Sequence, residues 1–179
     1  MSAVLSGPYL AAAGLLAVAG VEKAWHPTAT ARALDAVGLP ASRAAVRLGG
    51  AFEAVLALST LVVGGAALAA GVAVSYLLLA GFVLLALVRD TPLSSCGCFG
   101  QVETPPTPGH LAVNLVAAAV ALAVAAGDRV TIATAVRGQP LRGVPFVMLT
   151  ATVGYLVYLM LTSSARLVAV RRFPGAGAS

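Results

Sequence analysis

Charge is scarce in this sequence. Asp, Glu, Lys and Arg make up 9% of its 179 residues, where a soluble domain carries roughly 25%. Hydrophobic residues reach 60% and mean hydropathy is +0.98. A water-soluble fold of this length has no interior large enough to hide so much apolar surface. Acidic residues are the scarcer sign, 6 against 11 basic. The basic residues are scattered between apolar runs, so they mark membrane boundaries and do not form a nucleic-acid stripe. Other absences narrow the chemistry. The chain has no phosphate-cradling Gly loop with Lys, no His-Glu-x-x-His and no Cys-x-x-Cys-His haem attachment. No serine triad can be assembled, and no internal repeat is visible. Cysteine is confined to Cys96 and Cys98.

What remains is five apolar runs: Val4 to Val21, Ala44 to Val63, Ala66 to Val88, Leu111 to Gly127 and Val144 to Ser164. A spanning helix needs about 20 mostly apolar residues, with a range of roughly 17 to 25. Lipid obliges each span to satisfy its own backbone, so helix is the expected state. The expected fold is all-α, a polytopic membrane helix bundle in the cell membrane, with a four-helix domain over 1–127 (helices at about 4–21, 44–63, 66–88 and 111–127). A connector at 128–143, a fifth span at 144–164 and a basic, disordered tail at 165–179 follow. The first run has no preceding basic residue and is followed by Glu22 and Lys23, so it reads as a retained helix, not a signal peptide. Gly64-Gly65 reads as a tight hairpin. Residues 22–43, with Arg32, Leu34, Val37 and Leu39, read as a short amphipathic helix on the membrane surface. Residues 89–110 form a Pro-broken loop.

Five spans sort the unusual residues onto one face. The 22–43 segment, the 89–110 loop and the C-terminal tail share it. Lys23 and His26 close the first helix there. Arg47 and Glu53 enter with the second, Arg89 ends the third, and Cys96, Cys98, His110 and Asn114 follow. The same face carries Lys23, Arg32, Arg43, Arg47, Arg89, Arg166, Arg171 and Arg172 of the 11 basic residues. The positive-inside rule makes it cytoplasmic.

Ser94-Ser95-Cys96-Gly97-Cys98-Phe99-Gly100 is the most informative segment. Its plainest reading is two small loop residues. The sharper one is a redox pair: the glycine lets two cysteines approach. A staple across so short a loop gains little closure entropy, so exchange better explains a bond between them. Reactivity needs a thiolate, which nearby Lys, Arg or protonated His favours; Lys23, Arg89, His26 and His110 share the face. Glu53 lies about 13 Å down its helix at 1.5 Å per residue, where a carboxylate faces the bundle interior or a wet cavity. It reads either as half of a structural ion pair, with Lys23 or Arg47, or as a proton acceptor or polar gate beside the thiols. Lys23 also suits plain interfacial snorkelling, and Trp25 an aromatic anchor. Two Cys and two His (His26, His110) match a zinc set in composition, though not in spacing.

The chain resembles the MauE family of methylamine utilisation membrane proteins, within the DoxX-like group. The matching residues are Gly20-Val21-Glu22-Lys23, His26-Pro27, Ala33-Leu34, Gly38-Leu39-Pro40, Gly49-Gly50-Ala51-Phe52-Glu53 and Cys96-Gly97-Cys98-Phe99-Gly100, over about Leu10 to Ala125. The family often has a basic residue near the start of its fourth helix, where this chain has His110 and Asn114. The resemblance implies a four-helix core, with the fifth span an addition. It also implies maturation of partner proteins by thiol chemistry, alongside a thioredoxin-like partner or a client protein. For MauE itself that client is the methylamine dehydrogenase small subunit. Methylamine metabolism is not inferred as this chain's pathway. Such partners are expected outside the cytoplasm, opposite to the side given by charge. Two other readings stay open: a non-enzymatic chaperone or scaffold holding a client through its helices, and a metal-binding membrane protein. No cofactor is predicted. A quinone would suit the redox reading, but no residue pattern identifies a site for one.

Overall fold

The computed structural model describes residues 2–89, 106–127, 129–137 and 139–172, with side chains over 4–89, 106–127, 129–137 and 139–162. The described residues are helical with short connections. Among the described residues, five helices are long and apolar enough to cross a membrane. The fold is a polytopic helix bundle, and the protein is a multi-pass membrane protein.

Helix α1 (Ser2–Trp25) runs beyond the charge-free stretch and keeps Glu22 and Lys23 helical. Helix α2 (Pro27–Ala36) starts with proline in its first turn, where no amide is lost to the ladder. It ends on Gly38 at φ +74°. There Leu39 N donates to Leu34 O at 2.9 Å and Gly38 N to Asp35 O at 2.9 Å, a glycine-closed helix end. Helix α3 (Arg43–Val62) is capped by Ser42, whose hydroxyl accepts from Ala45 N at 3.1 Å. Gly64 and Gly65, both at positive φ, turn the chain into α4 (Ala66–Val88). Helix α5 (Pro108–Ala125) begins one turn before its apolar run, because Thr107 caps it and proline fills its first turn. The 128–143 segment holds a short helix, α6 (Ile132–Val136), closed by a Thr131/Thr134 capping box, and a 3₁₀ turn, Pro140–Gly143. Helix α7 (Val144–Arg172) carries helical backbone past its apolar run and through the basic residues to Arg172.

Helix α1 packs on α3, α5 and α7, while α4 packs on α5 and α3. Helices α3, α1, α5 and α4 therefore close a four-membered ring, and α7 lies outside it against α1. Tyr9, Leu16, Val72, Ala73 and Ala121 fill the interior. Tyr76 crosses it, its hydroxyl donating to Ala12 O at 2.7 Å. Leu48, Phe52, Val55, Leu78 and Met148 point outward, a surface matched to hydrocarbon.

The α1/α3 contact sets up the site. A Cβ on Gly20 would lie 2.6 Å from Ala54 N and 2.7 Å from Gly50 O; one on Gly50 would lie 2.7 Å from Ala24 N and from Gly20 O. The two backbones touch here, and only glycine at both positions permits it. Neighbouring Gly49 meets nothing within 4 Å.

Candidate functional site

One turn beyond each of these glycines stands a charge: Lys23 after Gly20, Glu53 after Gly50. The helices are antiparallel neighbours, and helical side chains lean toward their own N-terminus. Lys23 therefore leans down α1 and Glu53 leans up α3, and the two meet. The Lys23 ammonium pairs with Glu53 Oε2. Lys23 is 5% exposed and the Glu53 side chain 19%. Arg47, the other partner open to Glu53 from sequence, does something else: its Nε donates to Ala24 O at 3.1 Å, satisfying a carbonyl at the end of α1.

The pair lies in the wall of a groove of about 300 Å³. Its walls include Gly49 and Gly50 on α3 and Leu78 and Phe82 on α4, with Leu34 contributed by α2. Arg89, at the end of α4, donates from Nη1 to the Val37 carbonyl and ties the end of α2 to this end of the bundle.

The two histidines have separate surroundings. His26, half exposed, has Nδ1 3.3 Å from Glu22 Oε2. His110 is 2% exposed; its Nδ1 lies 2.8 Å from Thr107 Oγ1, and its buried Nε2 has no hydrogen-bond partner. With Asn114, Tyr76 and Leu161 it borders a void of about 20 Å³. Among the described residues no three His, Cys, Asp or Glu side chains form a metal-binding group. Cys96 and Cys98 lie outside the described residues. Of the residues singled out from sequence, the fold thus joins Lys23 to Glu53 and sets Arg89 at the start of the cysteine-bearing segment. The tasks of Arg47, Tyr76 and Thr107 as bonds to backbone or histidine were not foreseen. Thr107 alone had a local signal, a Thr-Pro ahead of an apolar run.

The ring of four spans, with a fifth outside it, fits a polytopic DoxX/MauE-like membrane helix bundle. A family model described as "Methylamine utilisation protein MauE" matches residues 1–127, and the chain belongs to that family. The match takes in α1 to α5 and leaves out α6 and α7. No curated protein and no solved structure matches the chain.

Proposed function

We propose that this protein is a membrane component of thiol–disulfide exchange that supports the maturation of partner proteins. Cys96 and Cys98 cycle between dithiol and disulfide. As they close to a disulfide, the disulfide of a thioredoxin-like partner is reduced to a dithiol; two electrons and two protons pass from one pair to the other. Arg89 and Lys23 favour the thiolate electrostatically, and Glu53 takes up or releases a proton.

The observation that carries this reading is where the chain leaves and re-enters the bundle. It leaves α4 at Arg89, tied to the Val37 carbonyl, and enters α5 at Pro108, two residues before buried His110. Both ends belong to the face that holds the Lys23–Glu53 pair. The chain's only two cysteines lie in the segment between them, and membership of the MauE family agrees. In this reading the shared face is cytoplasmic, on the strength of its basic residues.

Trapping tests the chemistry. Cys96→Ser or Cys98→Ser should accumulate a mixed disulfide with a thioredoxin-like protein; if neither captures a partner and both keep full function, the reading fails. A membrane-impermeant thiol reagent applied to intact cells tests the side. Protection before lysis and labelling after it is the expected result.

A further inference from the structure

We propose that the void beside His110 is a binding site for one water molecule, which accepts a hydrogen bond from His110 Nε2 and joins it to the Asn114 side chain. The site is built from α1, α4, α5 and α7 and is independent of the thiol reading.

Thr107 decides which ring nitrogen carries the proton. As the cap of α5, its Oγ1 accepts from His110 N at 3.4 Å, which leaves its own proton for Nδ1, 2.8 Å away. An Nδ1 that accepts puts the single proton of a neutral imidazole on Nε2. Nε2 is buried and has no hydrogen-bond partner among the described residues. A buried donor left unpaired is costly, and such atoms in folded proteins are met by protein or by ordered water.

The void supplies the partner. Thr107, which holds Nδ1, is not part of its wall, so the imidazole presents the opposite edge to it. Asn114, one turn along α5 and 8% exposed, stands on the same wall. Its amide offers both donors and an acceptor. Tyr76 borders the void from α4 and has given its proton to Ala12 O, so its oxygen is left to accept. The void measures about 20 Å³. A single water needs about 10–15 Å³ of such space and 2–4 polar partners. A hydrated ion or an organic molecule is too large. Leu16 and Ala19 of α1 and Leu161 of α7 close the apolar side. Leu161 is 5% exposed. The seal therefore comes in part from α7, which lies beyond the 1–127 match.

The test is solid-state NMR of the full-length protein in lipid bilayers, with isotope-labelled histidine and His26→Gln to leave one imidazole. At about pH 8, above the ordinary histidine pKa of roughly 6.5, the ring is neutral. The expected spectrum has the ring proton on Nε2 and a cross-peak between that proton and water. Asn114→Leu removes the amide and fills the void, so it should weaken the water cross-peak at least tenfold while the Thr107–Nδ1 contact stays. A ring proton on Nδ1, an Nε2 proton with no water contact, a direct bond from Nε2 to Asn114 Oδ1, or an Asn114→Leu protein with the parental cross-peak would overturn the proposal. The parent spectrum is decisive without the variant.

Discussion

Replacing Lys23 with methionine removes the only lysine in the chain and leaves Glu53 inside the bundle without its ion-pair partner. Removing one member of a buried pair costs about 3–5 kcal/mol, because the survivor remains desolvated and uncompensated. Lys23 is 5% exposed and the Glu53 side chain 19%, so the groove relieves part of the penalty and the lower end, about 3 kcal/mol, is expected. At 1.4 kcal/mol per tenfold, that is a loss of roughly two orders of magnitude in the folded-to-unfolded ratio. Glu53→Leu alone should behave similarly. The double variant Lys23→Met/Glu53→Leu replaces both charges with apolar groups of like volume and should be more stable than either single variant, since such swaps are often neutral or better. The coupling from the four-protein cycle should be at least about 2 kcal/mol. Unfolding in mixed micelles of rising dodecyl sulfate fraction, followed by far-UV circular dichroism and by Trp25 emission, measures it. Single variants within about 1 kcal/mol of the parent, with effects that simply add, would refute the claim that these side chains form one buried unit.

Other consequences are simpler to read. Gly20→Val should drive α1 and α3 apart, because its Cβ would lie 2.6 Å from Ala54 N; Gly49→Ala, whose Cβ meets nothing, should stabilise by up to about 1 kcal/mol through helix propensity, and thermal unfolding in detergent separates the two. Tyr76→Phe removes the 2.7 Å bond to Ala12 O and should cost about 1 kcal/mol in the same assay. Arg89→Gln shortens the reach to the Val37 carbonyl; amide exchange should accelerate at the end of α2, residues 36–39, while the α1/α3 contact keeps its protection.

Much of the architecture was written in hydropathy, because lipid leaves the backbone so few choices. The spans and the surface helix between Glu22 and Arg43 follow from where charges and prolines interrupt apolar runs. Glu53 was recognisable by its depth, but its partner was not. Spacing along one helix fixes height and leaves open which neighbour faces the residue, so Lys23 and Arg47 were equally available. Gly49 and Gly50 look alike in sequence. Only the approach of α1 separates a glycine that packing demands from one that leaves a wall bare. The helical backbone through Arg166, Arg171 and Arg172 was also hidden, because these basic residues read as the end of a span. The cysteine pair stands where it did: its spacing and its membrane-face position come from sequence, and its conformation lies outside the described residues.

The position of α1 in the ring also bears on the order in which the protein is made. Lys23 emerges from the ribosome thirty residues before Glu53. It sits two residues from the end of α1, close enough to the interface for its ammonium to stay hydrated while the first helix waits alone in the bilayer. Glu53 has no such refuge, being far from both ends of α3. The first helix can therefore insert unaided, whereas the second long helix brings a carboxylate whose counter-charge is already in place. In the order of synthesis, then, the ammonium precedes the carboxylate that pairs with it.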